Sequence, residues 1–258
     1  MATVTHKTNP EPWKRKIPLL HSGDKLSQAE FHRRYEAYPK HDAKFELIGG
    51  IVYMMTPAGY EHGRGDFKLS GITFQYELAT LGVEGAHNAT VVLSPTSEPQ
   101  PDVVVMRTPE YGGRTRIRGG AIKYIVGPPE LVIEVAHSSR SIDLHQKRID
   151  YRDAGVLEYI VFDIAAAQVN WFDLASDAPL AIAADRILRS RVFPGYWLDT
   201  QALLAQDTHG LVACMSQGIA SADHQAFVKQ LAAYRESLPK LARSTNKNSA
   251  KSRKKKDK

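Results

Sequence analysis

The chain has 258 residues, 43% of them hydrophobic and 24% charged, and a formal net charge of +6. This composition is typical of a globular protein with one sizeable core, and no run approaches the roughly 18 apolar residues that a membrane-spanning helix needs. A single cysteine, Cys214, excludes an intramolecular disulfide. The N-terminus lacks the apolar core of a secretory signal, so we expect a cytoplasmic location.

The positive charge is concentrated at the C-terminus. Residues 240–258 hold nine Lys or Arg and one acid, a net charge of +8, which leaves −2 for the other 239 residues. We expect three parts: a flexible segment at 1–24, a single domain at 25–238 and a disordered basic tail at 239–258. The alternative for the tail is a weak nucleic-acid arm whose binding fades with salt.

A capped helix and a hairpin are predicted at the start of the domain. Ser27, with an acid three residues later, has the spacing of a capping box and predicts a helix that runs to about Tyr38. The strand-like runs 44–48 and 51–55 are separated by two glycines, which is the signal of a two-residue β-hairpin.

A longer helix is predicted over 62–81, with Gly82 as its stop. Its apolar stripe, of the kind that faces a protein core, consists of Phe67, Ile72, Phe74, Leu78 and Leu81. Two strands follow, at 89–93 and 103–106. The glycine- and arginine-rich segment 107–123 is predicted to be a long surface loop.

The central stretch of the sequence is an apolar strand that contains one carboxylate. Leu131 to Val135 are aliphatic except for Glu134, and two prolines fix where the strand begins. A buried carboxylate needs a cation, a metal or a set of hydrogen-bond donors. Asp102, at the head of the preceding strand, is a candidate second ligand. Lys147, on a helix predicted from near Asp143 to Gly155, is a candidate cation.

The remaining sequence predicts two strands, an aromatic turn and a last helix. The strands are at 158–163 and 168–174, and a polar connection at 176–188 follows them. The turn at 193–197 is expected to pack against the core. An amphipathic helix at 220–238 is ended by Pro239.

An aspartate at the head of one strand, an acid within the next and a lysine nearby resemble the signature of the PD-(D/E)XK nuclease superfamily. The chain is also similar to the Uma-type restriction endonucleases, its bacterial branch, over roughly Leu26 to Leu231. The segments that carry this resemblance are FELIGGIVYMM, YEHG, QPDVVVM, PPELVIEVAHSSRSIDLHQKRIDYRDAGVLEYIVFD, RSRVFPGYWLD and GIASADHQAFVKQL. It implies a mixed α/β (α+β) fold with a central mixed sheet flanked by helices, and magnesium-dependent hydrolysis of DNA.

Two positions depart from the superfamily pattern. The slot in which the superfamily places its lysine, two residues after the second acid, is Ala136 here. The resemblance implies that the amine has moved to the following helix, as Lys147. At Gly49 relatives usually carry an acid, and Glu46 is the acid that remains in this hairpin.

The resemblance also implies a role for each site residue. Asp102, Glu134 and the carbonyl of Val135 would bind Mg²⁺, with Mn²⁺ able to substitute, because hard divalent cations prefer oxygen ligands. Lys147 would orient the attacking water or help to deprotonate it. Glu46 is either a third acid of the site or a solvent-facing strand residue.

Three further residues are candidates for supporting roles. His62 could contact a phosphate or a bound water, although an ordinary capping or surface role is favoured. Tyr151 follows Lys147 by four residues and either holds the stem of the lysine or packs in the core. Asp143 precedes Lys147 by four residues and is either a helix-start acid or a partner of the amine.

DNA is the expected partner, a membrane is not, and a homodimer stays open. The arginines that we expect to contact the nucleic-acid backbone are Arg107, Arg114, Arg116 and Arg118. No phosphate-binding glycine loop, zinc ribbon or GxSxG serine is present in the sequence. Two alternatives remain: an inactive nuclease fold that binds nucleic acid or a protein, and an enzyme that acts on RNA or a small phosphodiester.

Overall fold

In a computed structural model of the chain, the structure describes residues 17–39 and 43–239. Within these ranges the helices are Gln28–Glu36 (α1), Tyr60–Ala79 (α2), Arg140–Ile142 (α3), Arg148–Ala154 (α4), Thr200–Leu204 (α5), Thr208–Ala220 (α6) and Ala222–Ser237 (α7). A 3-10 turn forms at Pro109–Tyr111, and a π turn at Asp143–Lys147 joins α3 to α4. None of the described helices is long and apolar enough to cross a membrane.

The strands form one large sheet and three small ribbons or sheets. They are Phe45–Ile48 (β1), Ile51–Met54 (β2), Val83–His87 (β3), Val91–Val92 (β4), Val103–Arg107 (β5), Arg116–Gly119 (β6), Lys123–Val126 (β7), Leu131–Ala136 (β8), Glu158–Asp163 (β9), Gln168–Asp173 (β10), Ala178–Pro179 (β11), Ile187–Arg189 (β12) and Trp197–Asp199 (β13). The central sheet has the order β11-β10-β9-β8-β5-β3. Its β8 and β9 are parallel and its other neighbours antiparallel, which confirms the mixed sheet.

The strand β8 lies in the middle of this sheet and is buried along its whole length. Its side chains alternate between two hydrophobic clusters, as the period of two in a strand requires. Leu131, Ile133 and Val135 pack on the side covered by α2, α6 and α7. Val132 and Ala136 pack on the other side. Glu134 shares the second face, so the strand itself aims its carboxylate at one side of the sheet.

The hairpin of β1 and β2 packs with α1 around a third, smaller cluster. Ser27 caps α1 by accepting a hydrogen bond from the N–H of Glu30, so the predicted start of this helix is confirmed. Gly49 and Gly50 both have positive φ, at +58° and +78°. Two such residues are what a tight hairpin turn requires, and the predicted hairpin is confirmed.

The packed domain begins earlier than residue 25. Leu20 is buried in the small cluster, and the N–H of Gly23 donates to the carbonyl of Val52. The prediction of a flexible segment up to residue 24 is therefore wrong for these positions. The rest of that segment, residues 1–16, and the predicted basic tail after Pro239 lie outside the described residues.

The segment 107–123 contains a 3-10 turn and a strand pair, so the prediction of one long loop is wrong. After the 3-10 turn, β6 pairs with β7, and β7 pairs with the short β4. Gly119, with φ at +139°, helps to make the turn between β6 and β7. The sequence pattern does not predict the pairing of β6 with β7, because β6 is exposed along its length and has arginine at alternate positions instead of an apolar face.

The apolar stripe predicted for the second helix mostly faces away from the core. Of its five members only Ile72 is buried, and Phe67, Phe74, Leu78 and Leu81 are exposed. The face of α2 that packs on the sheet combines the apolar Leu69, Ile72 and Tyr76 with small and polar residues, such as Gly65 and Thr73. A Cβ at Gly65 would lie only 3.0 Å from the ring of Phe162, and the hydroxyl of Thr73 is hydrogen-bonded to Tyr196. Close approach and polar pairing therefore decide which face is inside.

Candidate active site

Two neighbouring strands of the central sheet bring Asp102 and Glu134 together. The ladder between β5 and β8 pairs Val103 with Ile133, so one further step places Asp102 opposite Glu134. Both side chains are buried. Asp102 accepts a hydrogen bond of 2.7 Å from the N–H of Val135. Since the N–H and C=O of a strand residue point to the same edge, the carbonyl of Val135 faces this side as well.

Lys147 enters the same pocket from the π turn between α3 and α4. Its Nζ lies 3.0 Å from Glu134 Oε1, 3.1 Å from Glu46 Oε2 and 3.4 Å from Asp143 Oδ1. The side chain is almost completely buried. A π turn inserts one extra residue into a helix and is common at functional sites. The helix thus supplies the amine that Ala136, on the strand, does not provide.

Glu46 is part of this cluster, and the alternative of a solvent-facing strand residue is wrong. All four residues of β1 are buried. Glu46 Oε1 accepts a 2.6 Å hydrogen bond from the N–H of Gln100, two residues before Asp102. The next residue, Leu47, is bridged to Glu98, so the hairpin docks on the segment that leads to Asp102.

The two supporting residues on the helix have definite partners. The hydroxyl of Tyr151 donates a 2.9 Å hydrogen bond to Glu134 Oε1, and its ring packs against Tyr159. Burial raises the pKa of Tyr151 well above its usual value, so this hydroxyl stays a donor. Asp143 pairs with Lys147, and its Oδ2 accepts from the hydroxyl of Ser139 at 2.5 Å.

His62 lies at the edge of the pocket, with its Nε2 3.5 Å from Asp102 Oδ2. It stands in the first turn of α2, and the N-cap position belongs to Gly59, so the predicted capping role is wrong. The hydrogen bond to Asp102 raises the pKa of His62. Asp66, one turn further along α2, was not predicted. It pairs with His87 at 3.1 Å, and its position four residues after His62 was the available signal.

When all of its acids are ionised, the cluster carries more negative than positive charge. Four carboxylates, from Glu46, Asp102, Glu134 and Asp143, face one ammonium group. Burial raises the pKa of Glu134 well above its usual value; attraction to Lys147 opposes this rise, and repulsion from the neighbouring acids adds to it. Burial alone would lower the pKa of Lys147, but the surrounding carboxylates raise it well above its usual value.

These residues fit a magnesium site of the usual kind. Magnesium takes one or two protein carboxylates and keeps several waters, and Asp102, Glu134 and the Val135 carbonyl supply such a set. Asp143 Oδ1 is buried and accepts no hydrogen bond from the described residues, which leaves anionic oxygen beside Lys147. Within the described ranges no three acidic or histidine side chains form a ready-made metal cluster. A partly hydrated ion requires no more protein ligands than Asp102, Glu134 and the Val135 carbonyl would provide. This set lines a cleft of about 760 Å³.

The arginines predicted to contact nucleic acid lie away from this cleft. Arg107 is at the far end of β5, five residues and about 16 Å from Asp102. Arg107 and Arg114 face the buried Glu130, at 3.6 and 3.8 Å, and Arg116 donates to the carbonyls of Gly113 and Thr115. Arg118 is exposed on β6. Their contact with nucleic acid stays a prediction.

Comparison with known proteins identifies a family and a solved structure of similar fold. Residues 29–201 match the model of the Uma2 family, described as "Putative restriction endonuclease". A solved structure of a putative nuclease belonging to DUF820 from Anabaena variabilis ATCC 29413 has a similar fold, with a TM-score of 0.55 and 11% sequence identity. The similarity covers 67% of this chain and 96% of that one. No curated protein sequence matches the chain.

Proposed function

The chain belongs to the Uma2 family, and on that premise we propose that its carboxylate cleft hydrolyses phosphodiester bonds in DNA with the help of a divalent cation. The observation that carries this proposal is the meeting of Asp102, Glu134 and Lys147 in one buried cluster, although they come from a strand head, a strand interior and a helix. These three residues are far apart in the sequence, and removing their charged groups from water costs several kcal/mol of free energy.

The cation would be held by Asp102, Glu134 and the carbonyl of Val135. Mg²⁺ suits this oxygen set, and Mn²⁺ can replace it. When bound, such an ion lowers the pKa of a water molecule and offsets charge on the phosphate. The negative surplus of the cluster supports this role, since the surplus is what a divalent cation would neutralise.

Lys147 is proposed to orient the attacking water and to stabilise charge on the phosphate. Its raised pKa favours these roles over proton abstraction, because an ammonium group has no lone pair with which to accept a proton. Glu46 and Asp143 hold the amine from two further directions. They are positioning residues in this proposal, and so is Tyr151, whose hydroxyl fixes one oxygen of Glu134.

The test is cleavage of supercoiled plasmid DNA by the purified full chain in Mg²⁺, in Mn²⁺ and in EDTA. We expect nicking only with a cation, and loss of nicking in Glu134→Gln and Asp102→Asn. Glu158→Gln is the matched control, because Glu158 is also a buried acid of the central sheet but lies outside the cleft. Parallel assays on RNA and on a small phosphodiester show whether DNA is the substrate.

A calorimetric titration with Mn²⁺ separates this function from its main rival. Binding by the wild type that is lost in Asp102→Asn supports the metal-dependent enzyme. DNA binding with neither Mn²⁺ binding nor cleavage would instead identify an inactive nuclease fold that serves as a binding module.

A further inference from the structure

The outward face of α2 carries a mainly apolar stripe that no described residue covers. Exposed residues of α2 recur at spacings of four and three, in the order Tyr60, Arg64, Phe67, Gly71, Phe74 and Leu78, and Leu81 continues the spacing in the turn after the helix ends at Ala79. The exposed fractions are 80% for Phe67, 58% for Phe74, 72% for Leu78 and 63% for Leu81. Alternating steps of four and three are the heptad spacing with which one helix packs along another.

The size of this stripe is near the upper end for a free surface. With about 200 Å² for a phenylalanine and somewhat less for a leucine, these four side chains expose about 500 Å². Two copies of the stripe facing each other would remove about 1,000 Å² from water, which reaches the lower bound for a specific protein interface before any flanking residue is counted.

The order of residues along the stripe reads nearly the same in both directions. When α2 is turned end for end about Gly71, Phe67 falls opposite position 75, beside Phe74, and Tyr60 falls opposite position 82, beside Leu81. Arg64, the one charged member, falls opposite Leu78 and next to Glu77, an acid. A surface that is complementary to its own reversed copy is the requirement for a two-fold symmetric interface.

Gly71 lies at the centre of this pattern and leaves room for close approach. A Cβ built on Gly71 would meet nothing within 4 Å. A glycine inside a helix reduces its stability by about 1 kcal/mol relative to alanine, and no contact in the described part of this chain requires one here. At the crossing point of two helices, a residue without a side chain lets the backbones approach and lets the flanking phenylalanines interlock.

From these observations we propose that the outward face of α2 is a self-association surface, on which the α2 helices of two copies of this chain pair antiparallel with Gly71 at the two-fold axis. This inference is independent of the nuclease function. It concerns the side of α2 opposite the packed face, and it requires none of the residues in the carboxylate cluster.

The first test is the mass of the full chain by sedimentation equilibrium over a wide range of concentration. We expect a dimer, with about twice the 28.7 kDa of one chain. Phe67→Glu should raise the dissociation constant by about a hundredfold or more, as expected for an aromatic residue at the centre of an interface. Ile122→Glu is the matched control, because Ile122 is also apolar and 64% exposed but lies in the turn between β6 and β7. A wild type that stays monomeric at a protein concentration of about 100 μM, where even a weak dimer would form, overturns the proposal.

Gly71→Glu separates loss of pairing from loss of folding. The new side chain has open space in a single copy and a better helix propensity than glycine, so the melting temperature of the monomer should not fall. In the pair it would face its own like-charged copy, and the dimer should be lost. A dimer that withstands both Phe67→Glu and Gly71→Glu uses a different surface, and this outcome also overturns the proposal.

Crosslinking tests the antiparallel arrangement. The natural cysteine, Cys214, is buried, so a cysteine introduced on the stripe is the reactive thiol for a short bismaleimide. Gly71→Cys should give a crosslinked dimer. Leu78→Cys should not, because antiparallel pairing places the two substituted positions about 21 Å apart, that is, 14 residues along the helix axis. Equal crosslinking at both positions would contradict the antiparallel geometry.

Discussion

Two buried glutamates lie on neighbouring parallel strands, Glu134 on β8 and Glu158 on β9. They differ in the hydrogen-bond donors that surround their carboxylates. Glu158 accepts hydrogen bonds from the hydroxyl of Ser190 at 2.7 Å and from the N–H groups of Arg191 and Val192 at 2.7 and 3.3 Å. Donors surround this carboxylate. Glu134 has two donors, Lys147 and Tyr151, and shares the first of them with other acids.

The difference shows what distinguishes a structural acid from a candidate functional one. Burial is common to both residues and therefore does not discriminate. A structural carboxylate is matched by donors that belong to the fold, whereas the cluster around Glu134 holds an excess of negative charge that the described residues do not compensate. The excess is a property of the group of residues, and it can be tested by changing one charge at a time.

The largest expected effect is on catalysis. Glu134→Gln should reduce the rate of DNA cleavage by at least about 10³-fold, equivalent to about 4 kcal/mol, because it removes a proposed metal ligand. Its melting temperature should stay unchanged or rise, since one repelling charge is gone. Initial rates of plasmid nicking and a thermal melt in EDTA measure both effects. A variant that keeps a tenth of the wild-type rate would contradict the assignment.

Removal of the amine should have the largest effect on stability. Lys147→Met leaves several buried carboxylates with no cation, and we expect the free energy of unfolding to fall by about 3–5 kcal/mol at pH 8. Urea unfolding in EDTA measures this change. Lys229→Met, at an exposed position on α7, is the control and should be neutral. A stable Lys147→Met protein with ionised acids would show that the cluster has no negative excess.

The same substitution at the structural acid should give the reverse of the result at Glu134. Glu158→Gln keeps an acceptor oxygen but turns an amide NH₂ toward groups that are themselves donors. We expect a loss of about 1–3 kcal/mol in the free energy of unfolding, with the rate of DNA cleavage per folded molecule unchanged. If Glu134→Gln and Glu158→Gln proved equally destabilising, the contrast between the two sites would be wrong.

The charge excess also predicts how stability depends on pH. Burial raises the pKa of Glu134, and that of Glu46, above the ordinary value of 4.5 that applies in the unfolded chain. The folded protein therefore binds more protons above this pH, and its stability should fall as the pH rises, by about 1.4 kcal/mol per unit for each proton. Unfolding in EDTA from pH 5 to 8 measures the slope. Saturating Mg²⁺ and Glu134→Gln should each reduce it.

The smallest predicted effect concerns Tyr151. Tyr151→Phe keeps the ring packed against Tyr159 but removes the hydrogen bond to Glu134. We expect a roughly tenfold lower cleavage rate, since a hydrogen bond to a charged group contributes about 1.5–3 kcal/mol. The Mg²⁺ concentration for half-maximal rate should rise as well, and this shift distinguishes positioning of Glu134 from simple loss of stability. An unchanged Mg²⁺ dependence would assign Tyr151 to core packing.

Much of the central architecture could be predicted because its signals are local. The aliphatic run around Glu134, the glycine pair of the hairpin and the Ser27 cap each depend on residues close together in the sequence. The convergence of Asp102, Glu134 and Lys147 was expected only through the family resemblance. The alternation of side chains along a strand predicts on which side of the sheet Glu134 lies. It does not predict which helix packs against that side.

The failed predictions share a physical cause. The orientation of α2 depends on which of its faces can approach the sheet closely, and the choice between the two alternatives for Glu46 depends likewise on how the hairpin docks. The face with Gly65 lies against the sheet, where a Cβ on this residue would be only 3.0 Å from the ring of Phe162, whereas Phe67 faces outward. Leu69, Ile72 and Tyr76 also recur at helical spacing on the buried face, so hydrophobic periodicity alone does not decide between the two faces of α2.

The π turn at Asp143–Lys147 has a consequence for how the amine can be repositioned. One surplus residue changes the rotational phase of everything after it by about 100°. If this turn changed to ordinary α geometry, the ammonium group of Lys147 would rotate away from Glu46 and Glu134 while the helix stayed folded. Deleting a single residue, such as His145, would make the same rotation permanent. The number of residues in this turn therefore decides whether the ammonium group of Lys147 stays in the cleft.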